Sequence, residues 1–479
     1  MQLPATFIQS LQYAPAFNKA NFIAAHIHPL PITSIRLNTS KLTLVNNCFE
    51  INNKAINFNL TQQLQQANNG KKIAEIFNPI PWCANGLYLS ERPSFTIDPL
   101  LHAGAYYVQE ASSMFLAHVL PQCIDINRPL VVLDACAAPG GKSTLLQSIL
   151  HKQSTLVSNE VIKTRVTILA ENITKSGAEN VIVTNNDPKD FKRLPNFFDI
   201  VVIDAPCSGS GLFKKDAKAI EEWSEQNVQL CSQRQQRIIA DMLPALKEEG
   251  ILIYSTCSYS VEEDEAIADW LLQHEAMESI KINMEPSWGI VESIAPISLA
   301  YGYRFYPDKV KGEGFFIAAF KKKSAVQAVA AIAKNKIEPA SKNEMAVIDN
   351  FLQDSSQYFF IKQHEEIIAI PIHNKNYLAT IQAHLYIKKA GVKLGQIIRT
   401  DLLPDHQLAM SGIKLKNIVN IEVDQVNALQ YLRRQDVIIE TNHKGWALIT
   451  HNYLPLGWIK VLPNRINNYY PKEWRIINK

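Results

Sequence analysis

The sequence predicts an α/β fold built on a mostly parallel, doubly wound sheet, and three observations carry that prediction. Apolar β-type runs recur at PLVVLDA (129–135), STLVSNE (154–160), NVIVTNND (180–187), DIVVIDAP (199–206) and GILIYSTC (250–257). They are continuously apolar, as strands buried on both faces are, and stretches of helical character separate them. Each run also ends in a polar or reactive residue: Asp134, Glu160, Asp187, Asp204 and Cys257. Ligands of such sheets bind beyond the carboxyl ends of the strands, so all five residues are expected on one rim.

Residues 1–128 precede the first run, and residue types alone assign them no chemistry. Within them, Arg36 suits a phosphate contact and a structural partner equally well. After the first run, DACAAPGGKST (134–144) is a Gly-rich turn that opens a helix, an arrangement that aims backbone amides at a ligand. Its GGKST end is similar to a phosphate-binding P-loop, which would make the protein a nucleotide hydrolase, but that motif needs glycine where Cys136 stands. An S-adenosyl-L-methionine site fits better. The tight turn would let the methionine part of that cofactor approach the backbone, and Glu160 on the next strand tip would accept hydrogen bonds from its ribose hydroxyls.

The fourth and fifth runs lead into Cys207 and Cys257. Seven cysteines, at 48, 83, 123, 136, 207, 231 and 257, form no Cys-x-x-Cys pair or Cys/His cluster, so neither a metal site nor a disulfide framework is expected and the thiols should be reduced. For Cys48, Cys83, Cys123 and Cys231 the ordinary reading is a buried, inert thiol. Cys207 and Cys257 differ because both fall just beyond strand ends, beside turns whose amide dipoles can depress a thiol pKa. A thiolate beside a methyl donor has a use. Carbon 5 of a pyrimidine is a poor nucleophile until a thiolate adds at carbon 6, and an acidic group near ring nitrogen 3, such as Asp204, would stabilise the charge that develops. A second thiol could assist product release, and the chemistry alone allows either cysteine to attack.

Beyond Cys257, Ser260 followed by Glu263 predicts a capping box and a helix running towards His274. EGFFIAAFKKK (313–323) reads as a last strand, 324–344 as an Ala- and Lys-rich linker or exposed helix, 345–384 as a small intermediate region and 385–479 as a separate module. Net charge is only +3, but residues 388–479 hold 14 Lys/Arg against 7 Asp/Glu, a local excess that phosphate backbones attract and that also suits a solvated tail. There Trp446, Tyr453, Trp458, Tyr469, Tyr470 and Trp474 are interleaved with basic residues, a composition suited to RNA, although at least half of these aromatics are expected to fill a small β-core.

Seven stretches together identify a resemblance. SIRLNTSK (34–41), GAYYVQEASSM (104–114), DACAAPGGKST, SNE (158–160), DAPCSGSGLF (204–213), STCSYSVEEDE (255–265) and EGFFIAAF (313–320) resemble, in order, the Sun/Nop-type family of RNA cytosine-5 methyltransferases, especially its bacterial branch acting on small-subunit ribosomal RNA. The C-terminal GWALITHNYLPLGWIKV and YYPKEWR are similar, more loosely, to that branch's PUA-like RNA-binding module.

The resemblance implies a Rossmann-like class I methyltransferase domain over 129–323, an N-terminal α+β extension over 1–128 that positions RNA, and a PUA-like domain over 385–479. It also implies Cys257 as nucleophile, Cys207 as the residue assisting release, and cofactor contacts at Cys136, Ala137, Ala138, Pro139, Gly140, Gly141, Lys142, Glu160, Asp187 and Asp204. Ala205 departs from the Pro-Pro that many relatives carry, which should alter only turn rigidity. The expected partner is RNA, ribosomal first and transfer RNA as the alternative. A non-catalytic RNA-binding or assembly factor is a further reading that the complete motifs disfavour. No run approaches the roughly 18 apolar residues of a membrane span, and MQLPATFIQSLQYAPAF lacks the pattern of a secretory signal, so a cytoplasmic protein is expected.

Overall fold

The computed structural model describes residues 3–27, 31–56, 58–67, 72–324 and 337–477. Its centre is a ten-stranded sheet, with strands β1 (Val131–Asp134), β2 (Thr155–Asn159), β3 (Val181–Thr184), β4 (Phe198–Asp204), β5 (Leu246–Thr256), β6 (Met277–Ile280), β7 (Val291–Ile294), β8 (Tyr301–Phe305), β9 (Phe315–Lys322) and β10 (Ile387–Ala390). The spatial order is β7-β8-β9-β5-β4-β1-β2-β3-β10, with β6 also paired to β9. The five runs read from sequence form the parallel centre, β3-β2-β1-β4-β5. Antiparallel strands flank it on both sides, β9 on β5 and β10 on β3.

The continuous apolar character of those runs has a direct cause. Val132, Leu156, Val183, Val202 and Ile253 pack into a core on one face of the sheet, while their neighbours Val131, Val157, Ile182, Val201 and Leu252 pack into a second core on the other. A strand whose successive side chains alternate between two buried faces has no polar position to show. Helices α1 (Gly141–Ile149), α2 (Lys163–Ser176), α3 (Glu225–Met242) and α4 (Glu265–His274) supply much of the covering. Gly177, at φ +80°, closes α2 in a left-handed conformation that glycine adopts at little cost.

Three features depart from the sequence reading. The strand at β9 is not the last of this sheet, because β10 returns from far along the chain to pair with β3. A separate five-stranded sheet, from Glu338–Pro339 through Tyr358–Gln363, Glu366–Pro371 and Val392–Ile398 to Asp401–Pro404, runs across the boundary expected between residues 384 and 385. Finally, α4 begins at Glu265 after a single 3₁₀ turn, Val261–Glu263, and Ser260 makes no capping bond. Most of the expected linker, residues 325–336, lies outside the described residues.

The N-terminal region forms a four-stranded antiparallel sheet, Phe77–Ile80, Cys83–Leu89, Thr33–Leu37 and Tyr106–Val108 in spatial order. Its apolar residues share one core with the C-terminal sheet of Val419–Glu422, Gly445–His451, Leu454–Leu462 and Arg465–Asn468: Phe49, Leu87 and Tyr106 belong with Tyr431, Ile449 and Leu456. Lys41 ties these regions together by donating to the carbonyls of Ala103 at 2.8 Å, Lys175 at 2.9 Å and Met410 at 3.1 Å. Among the six C-terminal aromatics, Trp458 and Tyr470 are fully buried, Trp446 and Trp474 are half-buried against the cores, and Tyr453 and Tyr469 are exposed.

Candidate active site

The carboxyl ends of the parallel strands converge as their sequence predicts. Asp134 and Asp204 are the last residues of β1 and β4, Glu160 and Cys257 immediately follow β2 and β5, and Asp187 lies three residues beyond β3.

The Gly-rich turn between β1 and α1 is built by tight backbone geometry. Gly140 has φ +117°, so the turn needs glycine for its conformation, and an added Cβ would sit in a tight contact 3.3 Å from the end of the Leu169 side chain. The amide of Ala137 donates to the carbonyl of Asn159 at 2.8 Å, locking the turn to β2. Beneath it, the Ser143 hydroxyl donates to Asp134 Oδ2 at 2.7 Å, while Asp134 Oδ1 is buried with no partner among the described residues. Burial pushes the Asp134 carboxyl up to about 7, with the Ser143 bond opposing the shift.

A cavity of about 190 Å³ opens on this turn, lined by Cys136, Ala137, Ala138, Pro139, Gly141, Lys142 and Asp204, with Tyr107 to Glu110 and Ser113 across from them. Seven of the positions expected around the cofactor are therefore brought together. Gly140, Glu160 and Asp187 are not in the lining. Glu160 is nearby: its carboxylate accepts from the amide of Ile162 at 2.8 Å and pairs with Arg165 at 3.4 Å, and Arg165 also donates to the carbonyl of Ala138 at 2.7 Å. Asp187 caps the turn after β3 by accepting from the amide of Lys189 at 3.1 Å.

Lys142, in the first turn of α1, reaches back to Asp204 with Nζ 2.8 Å from Oδ2, and the ammonium also lies over the Phe315 ring at 5.1 Å. Burial works against its charge, but Asp204 and then Asp134 outweigh burial and hold Lys142 above the ordinary lysine value. Asp204 Oδ1 accepts from the Ser255 hydroxyl at 2.8 Å, which links the tips of β4 and β5.

The two thiols meet beside this pair. Cys207 Sγ lies 2.9 Å from Cys257 Sγ, both cysteines are free, and both are partly exposed. The bond to Cys257 and burial push the Cys207 thiol well above the ordinary cysteine value. Their loops are also joined through Gly211, whose amide donates to the carbonyl of Cys257 at 2.8 Å; a Cβ there would come within 2.5 Å of the Gly314 carbonyl.

The sequence reading missed Glu263, assigning it to a capping box. Its carboxylate instead accepts from Ser208 and Ser258, the residues that follow the two cysteines. The signal was present in the acidic run Glu262-Glu263-Asp264-Glu265, since four successive acids are hard to account for by one helix start. Asp264 and Glu265 likewise turn inward, both to the buried Arg304. Arg36 is 3% exposed and donates to Gln109 at 2.9 Å and Thr144 at 2.6 Å, so it fastens the N-terminal sheet to α1. Lys214 and Lys215 line a neighbouring cleft of about 450 Å³ together with Arg92, Glu110 and Glu313. Among the described residues, no group of three or more His, Cys, Asp or Glu could hold a metal ion, and no helix is long and apolar enough to cross a membrane.

Comparison with known proteins gives this geometry a family. Residues 122–321 match the model of 16S rRNA methyltransferase RsmB/F, residues 418–476 that of the methyltransferase RsmF PUA domain, and residues 43–111 that of the N-terminal domain of 16S rRNA methyltransferase RsmF. Ribosomal RNA small subunit methyltransferase F of Aliivibrio fischeri is 30% identical over 82% of this chain and 85% of its own length. The chain belongs to the ribosomal RNA small subunit methyltransferase F family. The methyltransferase F of Shewanella loihica is 28% identical over 99% of this chain and 95% of its own length, so the likeness to methyltransferase F extends through all three regions. In fold, the crystal structure of NSun6 from Pyrococcus horikoshii superposes with a TM-score of 0.52 at 19% identity, covering 67% of this chain and 98% of that one. The α/β core with a C-terminal PUA-like domain is thus the architecture of methyltransferase F.

Proposed function

We propose that this protein transfers a methyl group from S-adenosyl-L-methionine to carbon 5 of a cytosine in small-subunit ribosomal RNA, through a covalent bond between Cys257 and carbon 6. The observation that carries the reading is the placement of two free thiols 2.9 Å apart beside the Lys142–Asp204 pair at the edge of the Gly-turn cavity. The family supports a ribosomal RNA target.

The residues present fit the cofactor. The cavity is lined by Cys136 to Pro139 and Gly141 of the tight turn, Asp134 below it keeps an unpartnered oxygen, and Glu160 and Asp187 follow on the next two strand tips, where ribose and base edges would be held. When bound, adenosylmethionine supplies an electrophilic methyl group on sulfonium sulfur.

The chain's own groups divide the remaining work. Cys207 is held above the ordinary thiol value and shares one hydrogen bond with Cys257, in which either sulfur can be the donor; attack is assigned to Cys257, the cysteine directly after β5, and assistance in release to Cys207. As the Cys257 sulfur adds to carbon 6, electron density moves onto the ring; Lys142 offsets the negative charge, and the Asp204 carboxylate accepts from the amino group beside nitrogen 3. Once carbon 5 carries the methyl group, its proton passes to water, the freed electron pair restores the double bond between carbons 5 and 6, and Cys257 leaves carbon 6 as the thiolate. Cys207 stands against the sulfur that leaves. The target base has to be turned out of its stack for carbon 6 to be reached. Lys214, Lys215 and Arg92 in the adjoining cleft are placed to meet the phosphates on either side.

The test is transfer of labelled methyl groups into assembled small ribosomal subunits, naked small-subunit RNA and bulk transfer RNA, each lacking the modification. Labelling of either ribosomal substrate is expected. Labelling confined to transfer RNA would keep the chemistry and overturn the target.

A further inference from the structure

The two thiol loops follow different strands, with their cysteines 50 residues apart in the chain, and strand pairing alone does not set the separation of side chains beyond the strand ends. One buried carboxylate spans them. Glu263 is 0% exposed, and its Oε1 accepts from the amide of Ser208 at 2.8 Å and from Gln235 Nε2 at 3.0 Å. Its Oε2 accepts from the hydroxyls of Ser208 and of Ser258, the latter at 2.7 Å. Ser208 directly follows Cys207, and Ser258 directly follows Cys257. The same Gln235 nitrogen also donates to the carbonyl of Pro206 at 3.0 Å, so the residues on both sides of Cys207 hang from one acidic centre. That centre is itself fixed, because Tyr254 in β5 donates its hydroxyl to the Glu263 carbonyl at 2.6 Å.

We infer that Glu263 is a positioning residue that sets the distance between Cys207 and Cys257, holding attacking and releasing thiols in one geometry without touching the substrate. The role calls for this residue type. Four donors converge on two oxygens, which a carboxylate accepts in full. Aspartate, one methylene shorter, cannot reach both loops from the same backbone position. Glutamine can keep the network: its carbonyl takes the Ser208 amide and Gln235, and its amide group donates to two serine hydroxyls that turn round to accept. Geometry, and not the charge, is what the site uses.

The inference rests on the two-thiol reading above, and its test is independent of methyl transfer. In the full-length protein, diamide takes two electrons and two protons from neighbouring thiols, and the Cys207–Cys257 disulfide is followed as a linked peptide by mass spectrometry. Glu263→Ala is expected to slow that linkage and to lower kcat by at least about tenfold, with KM for adenosylmethionine within roughly twofold, because a displacement of 1 Å in a reacting group costs that much or more. Glu263→Gln is expected to restore both to within about threefold of wild type, since it rebuilds the same bonds. Linkage at the wild-type rate in Glu263→Ala overturns the inference.

Should that variant not fold, Ser258→Ala removes the arm from Glu263 to the Cys257 loop, together with the contacts of the same hydroxyl to Ser208, Ser210 and the amide of Ser260, and an unchanged linkage rate there overturns it equally. Failure of the catalytic reading looks different. Retained methylation by Cys257→Ala, with a linkage rate that still depends on Glu263, would remove the nucleophile assignment and leave the spacing role standing.

Discussion

Lys142 Nζ and Asp204 Oδ2 stand 2.8 Å apart, and this ion pair joins the Gly-rich turn after β1 to the loop that carries Cys207. The pair is half-sheltered at the edge of the cavity, where a fixed positive charge is worth more than in water. Lys142→Met is expected to lower single-turnover methyl transfer by roughly 10² to 10³, the usual scale for one preorganised electrostatic group. Arginine at this position should restore little, because its planar fork does not occupy the place of a compact ammonium. Rates within a few-fold of wild type, with adenosylmethionine binding unchanged in calorimetry, would reduce the pair to a structural contact.

The thiols separate by role. Cys257→Ala removes the sulfur that bonds to carbon 6 and is expected to abolish transfer. Cys207→Ala leaves attack possible and slows release, so a protein–RNA adduct that survives denaturation is expected to accumulate. Gel electrophoresis of both variants with labelled RNA decides it, and an adduct in Cys257→Ala but not in Cys207→Ala would exchange the two assignments.

The parallel strands and their rim were legible because strands buried on both faces leave an apolar run that ends abruptly where the chain meets the ligand, as at Asp134 and Asp204. Contacts made across distant segments left no such mark. Nothing near Ile387–Ala390 announces that it will pair with β3, and although the acidic run 262–265 hints that its carboxylates do more than start a helix, nothing in it names Ser208 as the partner of Glu263. Arg36 shows the same limit, since arginine has one appearance in sequence whether it meets a phosphate or the hydroxyl of Thr144.

Arg36 therefore belongs to the stability of the domain junction. Arg36→Met leaves Gln109 and Thr144 without their donor at a buried interface, and each lost bond to a charged group costs about 1.5–3 kcal/mol. The melting temperature is expected to fall by several degrees, while the dependence of RNA affinity on salt keeps its slope, because no phosphate contact is lost. A shallower slope at unchanged stability would return Arg36 to the RNA.

Asp134 predicts a pH dependence of stability. Burial, opposed in part by the Ser143 bond, lifts its carboxyl from the ordinary value of 3.8 to about 7, so between those limits the folded protein binds the proton more tightly than the unfolded chain does. Its contribution is then fully present below the unfolded value and is lost as pH rises towards 7. Asp134→Asn cannot ionise and makes no such contribution at any pH. The melting temperature of wild type relative to Asp134→Asn is expected to be highest near pH 4 and to decline steadily to pH 7, with the contributions of groups remote from residue 134 cancelling because they titrate alike in both proteins. A difference that stays flat over that range would mean that the carboxyl is already ionised beneath the Gly-rich turn. The unpartnered Oδ1 would then have to be held by a donor, and the amides that face the cavity are the nearest source of one.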